Sequence, residues 1–285
     1  MQLTFDNFIN NFPILITDQK TIDLTEAEWI EPIWYSIIKA YDELCKTQGH
    51  NLNIIKPIKT NVASYFDTIN YGTHRYRSTY VPISIVSNST ENNKISKEIV
   101  EKIMLHNDFN KLSEENKKDT KDYLEYMISE LQNNVIQHSG SLFGAITCAQ
   151  YFPTLNKIQV SIADCGFGFL ASLQKTCELN SEIKALRKSL EQGVTGSHPV
   201  GTYSSNNNVG YGLYVLKNII QRNKAKMLMI SRNGSILLEN GQILSYELDR
   251  DIMGSIVAFE IYNIKFDYFL DEFFNYFIYP DENND

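Results

Sequence analysis

The chain has 285 residues, 43% of them hydrophobic and 21% charged, with a formal net charge of −8. That balance suits one large or two ordinary globular domains with a sizeable core. An acidic chain offers no broad basic field to nucleic acid, and no stretch is long and apolar enough to span a bilayer.

The opening Met1-Gln2-Leu3-Thr4-Phe5-Asp6 has neither a cationic start nor an apolar run, so no signal peptide is expected. Hydrophobic spacing predicts short strands at residues 13–17 and 21–25 and a helix over 29–46. A strand at 51–58, a helix at 61–71 and a strand at Tyr80–Val86 follow. This alternation describes a smaller α/β domain over residues 1–90. Polar residues 87–93 read as a linker. Helices are expected at 94–106 and 113–138, the second opened by Ser113 as N-cap with Glu114 and Glu115 behind it. Paired strands at 143–151 and 157–163, helices at 169–177 and 181–192, and a long Gly/Ser/Thr/Asn segment at 193–209 come next. A helix at 210–222 leads into strands at Lys226–Ser231, 235–238, 242–248 and 255–261. Residues 91–265 form the second domain. The tail, 266–285, carries aromatic residues over 266–279 at amphipathic helical spacing, and either packs on its own domain or docks a partner.

Cys45, Cys148, Cys165 and Cys177 make no Cys-x-x-Cys pair and no zinc spacing. They read as free thiols in a reducing compartment, and the expected location is cytoplasmic.

Three motifs carry chemistry. Glu130, Asn134 and His138 stand four apart and share one helical face. A carboxylate, an amide and an imidazole in one stripe can serve a metal–phosphate site: the amide gives Mg²⁺ an oxygen without charge, and the carboxylate can orient or deprotonate a nucleophile. Taken alone, the stripe is also what a solvated helix face looks like. Asp164-Cys165-Gly166-Phe167-Gly168 follows a strand. Its carboxylate can accept from an exocyclic amine while Gly166 and Gly168 let a planar ring approach the backbone. Taken alone it is also a tight turn. Gly210-Tyr211-Gly212-Leu213 opens a helix and can offer free N–H groups to phosphate. A dinucleotide-binding reading fails, because Leu170 and Ala171 stand where a third glycine belongs.

The order of these motifs, closed by Gly254-Ser255 at a strand start, resembles the GHKL (Bergerat-fold) superfamily of ATPases and kinases over roughly residues 110–265. The resemblance implies an α/β sandwich, a mixed sheet with helices on one face, that binds ATP with Mg²⁺. Glu130 matches the family's catalytic acidic residue and Asn134 its magnesium ligand. Asp164 matches the residue that meets the adenine amine, with Gly166 and Gly168 shaping that pocket. Residues 193–209 match the ATP lid, and Gly210, Gly212 and Leu213 match the phosphate loop. Ser255 stands where the family often has Thr, and Tyr214 where many members have glycine. His138 either touches phosphate or metal-bound water or lies on the helix surface. From Ser189 to Leu216 there is no Lys or Arg, so the phosphate charge must be met by Mg²⁺, backbone N–H groups, Asn206–Asn208, His198 or a cation from elsewhere.

No dimerising helical pair with a phospho-accepting His near a Glu or Asp precedes Glu130, so autophosphorylation on His is not expected. Thr21-Ile22-Asp23-Leu24-Thr25 and the helix after it weakly resemble a STAS module, but Trp29-Ile30-Glu31-Pro32-Ile33 has no Ser at the usual acceptor place. The expected function is a regulatory ATPase or Ser/Thr-type protein kinase switching a protein partner, with a homodimer open. The alternatives are a catalytically silent nucleotide-binding module and, more remotely, a DNA-processing ATPase.

Overall fold

A computed structural model of the chain describes residues 1–15, 21–72, 79–196, 210–223, 225–262, 266 and 270–275. The N-terminal elements are β1 (Gln2–Leu3), α1 (Phe8–Asn11), β2 (Thr21–Asp23), β3 (Trp29–Ile30), α2 (Pro32–Thr47), β4 (Asn53–Ile55), α3 (Thr60–Tyr71) and β5 (Tyr80–Val86). Then come α4 (Ser89–Met104), α5 (Glu114–Asn134), β6 (Ala145–Phe152), β7 (Lys157–Asp164), α6 (Phe169–Leu173), α7 (Glu182–Ser189) and α8 (Gly212–Arg222). The chain closes with β8 (Lys226–Ser231), β9 (Gly234–Glu239), β10 (Gln242–Glu247), β11 (Ser255–Tyr262) and α9 (Leu270–Phe273).

The expected α/β architecture is present. Seven strands form one sheet in the order β10-β9-β8-β11-β7-β6-β5. Every pairing in it is antiparallel, which corrects the expectation of a mixed sheet. Among the described residues parallel pairing is confined to the two-stranded ladders β1–β3 and β2–β4. Short connections favour the antiparallel form: Asn240 and Gly241, both at positive φ, turn β9 into β10 with the geometry a two-residue hairpin requires.

Both faces of the sheet are buried, so alternate residues of one strand enter different cores. Ile158, Val160 and Ile162 of β7, with Val257, Phe259 and Ile261 of β11, pack under α4, α5, α7 and α8. Ile146, Cys148, Ala163, Leu228, Ile256 and Ala258 point the other way, onto α2 and α3. Helices therefore cover both faces, not one. The apolar residues of the N-terminal layer have no separate core; they share one cluster with the back of the sheet. β5, from residues 1–90, is the edge strand of that sheet, so the boundary placed at residue 90 falls after a strand of the larger unit.

Two local expectations are corrected. Residues 87–93 are not a linker: Asn88 accepts from Glu91 N at 3.0 Å and starts α4 at Ser89, a side-chain cap that polarity alone disguises as a loop. Residues 12–15 form a 3-10 turn instead of a strand, buried through Phe12 and Leu15, and residues 16–17 lie outside the described residues. Ser113 caps α5 as expected, its hydroxyl accepting from Asn116 N at 3.1 Å. α5 ends at Asn134 and continues as a π turn, Val135–Ser139.

Of the tail, Phe266 stacks on Tyr123 of α5 at 4.1 Å between ring centroids. Phe273 and Phe274 meet Tyr123 and Tyr126 edge-on. These described tail residues thus pack back on the chain's own helix. Among the described residues no helix is long and apolar enough to cross a membrane.

Candidate functional site

Strand register builds one side of the site. Asp164, last in β7, pairs with Ser255, first in β11, and Ser255 pairs in turn with Ser231, last in β8. Three polar residues distant in sequence therefore lie in one row across neighbouring strands. The Ser255 hydroxyl donates to Asp164 Oδ2 at 2.5 Å, and Gly166 N donates to Oδ1 at 2.7 Å. Asp164 is 1% exposed. Burial pushes its carboxyl up to about 6, and the bonds from Ser255 and Gly166 hold it from rising further. A carboxylate has lone pairs for about four bonds, so acceptor capacity remains beyond these. Gly254, at φ +80°, runs against the Asp164 carbonyl so closely that any side chain would collide with it.

The loop after Asp164 is tied to the end of the polar stripe. Phe167 N donates to Ser139 O at 2.8 Å, and a side chain on Gly166 would strike that same carbonyl. Gly168, at φ +87°, lies against Ser231 and Glu182. Sequence reasoning missed these two: Ser231 Oγ accepts from Phe169 N at 2.8 Å, and Glu182 accepts from Leu170 N at 3.0 Å, so together they cap α6. Nothing in their sequence neighbourhood signals that role, which arises only from strand register and the packing of α7.

The stripe of α5 forms the other side. A Cβ on Gly212, first residue of α8, would collide with Glu130 Oε2, so the carboxylate sits against the helix start. Burial pushes the Glu130 carboxyl above the usual carboxylate range. Asn134 Nδ2 is buried and has no hydrogen-bond partner among the described residues. An amide end left so is costly in a finished core and is what an entering ligand would satisfy. Because the O and N of an amide can exchange places, the same position can present an oxygen to Mg²⁺. The residues present therefore fit a metal held by one amide oxygen and the ligand's own phosphates. His138, on the π turn, is held below the usual imidazole range by burial first and by the positive charge of Lys175 second.

Gly193 N donates to Gly210 O at 3.1 Å, and Gly210, at φ +86°, has no room for a side chain against Gly193. Gly193 and Gly210 thus meet directly before α8. Residues 197–209, including His198 and Asn206–Asn208, lie outside the described residues. Leu213 is half-buried and packs on the core beneath α8, which makes it a support for the loop.

A cleft of about 400 Å³ lies elsewhere, between α4 and α5 beside α9. Its walls carry Asp119, Asp122, Glu125 and Asp271 against Lys97 and Lys118, a balance that repels phosphates, and it contains none of the motif residues. Among the described residues no group of three or more His, Cys, Asp and Glu side chains could hold a metal ion.

No protein-family model and no curated protein matches the sequence.

Proposed function

We propose that the chain is a Mg²⁺-ATP-binding regulatory ATPase or Ser/Thr-type protein kinase that acts as a nucleotide-controlled switch on a protein partner. The observation that carries this reading is the convergence of Asp164 and Ser255, 91 residues apart, on a buried 2.5 Å hydrogen bond at one end of the sheet. A buried carboxylate with spare acceptor capacity suits an adenine amine. The Glu130–Gly212 contact and the unsatisfied Asn134 amide add a phosphate and metal side.

In this mechanism Asp164 orients the base, with Gly166 and Ser255 orienting Asp164. Asn134 holds Mg²⁺, which when bound would neutralise phosphate charge. The backbone at Gly210 and Gly212 meets phosphate at the start of α8. Glu130 takes a proton from water or from a partner's hydroxyl, a role to which a carboxyl raised by burial is suited. In this reading residues 193–209 respond differently to ATP and ADP, which changes the surface offered to a partner.

A catalytically silent nucleotide-binding module is the second reading, favoured by the cation-free stretch from Ser189 to Leu216. Calorimetric titration with ATP and Mg²⁺ tests the first. Binding should be lost in Asp164→Asn and become insensitive to Mg²⁺ in Asn134→Ala, and Glu130→Ala should keep binding while losing turnover. A folded wild type that binds no adenine nucleotide would refute both readings.

A further inference from the structure

We propose that Lys175 is the cation that meets the terminal phosphate, an assignment that rests on the nucleotide reading above. The need for one is plain: triphosphate charge gathers between α5 and α8, yet the lid segment and the start of α8 supply no Lys or Arg.

Five contacts place the Lys175 turn there. Thr176 N and Cys177 N both donate to Leu173 O, at 2.9 and 2.8 Å, which fixes the turn on the end of α6. The Thr176 hydroxyl donates to Thr195 O at 2.8 Å, joining the turn to the first residues of the lid. Gly196 lies against Ser172, with no room for a side chain between them. On its other flank, the Asp164–Gly168 loop that leads into α6 is bonded to Ser139 at the end of the π turn. Lys175 thus stands between the turn that carries His138, one helical turn beyond Asn134, and the entrance of the lid. Its charge is felt at His138.

The neighbouring cations are engaged elsewhere. Lys217 lies over the Tyr214 ring at 5.0 Å, Arg232 pairs with Asp251 at 3.0 Å, and Lys188 pairs with Glu191. Arg187 donates to Ile243 O and Ser245, and Lys184 to Asn180. Lys175 is exposed, and among the described residues its ammonium is in no ion pair. A long, exposed cation beside a half-buried polar stripe can reach a phosphate without paying the desolvation cost of a buried one. It also supplies, from within the chain, the charge that a partner would otherwise have to bring.

The test compares wild type, Lys175→Met and Lys175→Arg by calorimetric titration with ATP, ADP and AMP in Mg²⁺, together with an NMR titration of His138. Lys175→Met should weaken ATP about tenfold or more, ADP less, and leave AMP unchanged, as loss of one charge-assisted contact predicts. Lys175→Arg should restore most of the ATP affinity. The His138 titration midpoint should rise in Lys175→Met with no nucleotide present. If ATP and AMP respond equally, or ATP binding is unchanged, the assignment is overturned while the nucleotide site stands. Wild type that binds none of the three overturns both. A His138 midpoint that ignores Lys175→Met removes the placement itself, whatever the nucleotides do.

Discussion

Two sets of buried polar groups at the sheet are treated in opposite ways. On its back, under α2, Lys157 Nζ bridges Glu31 at 3.2 Å and Glu260 at 2.5 Å. Gln159 donates to the same two carboxylates and accepts from Ile33 N at 3.2 Å. Phe5 N and the Tyr262 hydroxyl complete the carboxylate partners, and Ser36 meets Ser161 at 2.6 Å. Every one of these groups has a partner, and the partners fix the register of the N-terminal layer on β7 and β11. At the sheet's end the polar groups are left open. Among the described residues Asn134 Nδ2 lacks a partner and the half-buried Glu130 carboxylate pairs with no cation, while Asp164 keeps acceptor capacity. A closed network specifies architecture, while an open one holds its unsatisfied groups for something that enters.

The sharpest way to break this comparison is to remove charge on both sides. Lys157→Met should destabilise the fold by about 3–5 kcal/mol, because Glu31 and Glu260 would remain buried with no cation between them. Glu130→Gln should leave stability unchanged or raise it, since burial already disfavours its charged form. Urea unfolding of both variants reads this directly, and equal losses would erase the distinction between the two regions.

Next in size is Asp164→Asn, which should abolish adenine-nucleotide binding while the protein stays folded. The wild type gives a pH signature with two opposite signs. Its folded carboxyl titrates near 6, above the ordinary carboxylate range, so the nucleotide-free fold loses stability as pH rises through that window. Binding gains strength over the same window, because the ionised carboxylate is a stronger acceptor for an amine than the neutral acid. Thermal unfolding and affinity measured from pH 5 to 7.5 should move in opposite directions, and Asp164→Asn should flatten the stability profile.

Much of the open site was legible in the sequence, because helix and strand periods place Glu130 and Asn134 on one face and Asp164 and Ser255 at strand ends. The strand Lys226–Ser231 and the Ser113 cap were legible for the same local reasons. The closed network was not: Lys157, Glu31 and Glu260 come from three separated segments, and a charged residue inside a strand reads as a solvent face until the second layer is known. Antiparallel order was hidden too, since alternation is the same for either direction. Lys175, Ser231 and Glu182 owe their places to tertiary packing alone.

A smaller effect distinguishes packing from chemistry at Gly212. Gly212→Ala adds a methyl group that drives the Glu130 carboxylate from its position, yet alanine gains about 1 kcal/mol of helix propensity over glycine. Stability should therefore hardly change. Turnover should fall at least about tenfold, because a displaced base loses its alignment. Unchanged turnover with unchanged melting would show that the Glu130 position against α8 is incidental.

The smallest change tests how the open site is tuned. Ser255→Ala removes the hydroxyl that donates to Asp164 Oδ2 and should cost about 1 kcal/mol of stability, the worth of one ordinary hydrogen bond. That bond is also the foremost influence holding the Asp164 carboxyl down against burial. Without it the carboxyl rises above about 6, so the pH at which nucleotide binding sets in should move upward. Ser255→Thr keeps a donor at the same strand position and should hold the onset near that of the wild type. An onset that stays put in Ser255→Ala would mean that the backbone N–H groups of Gly166 and Ser255 set the proton affinity of Asp164, and that the 2.5 Å contact serves the strand pairing instead of the ligand.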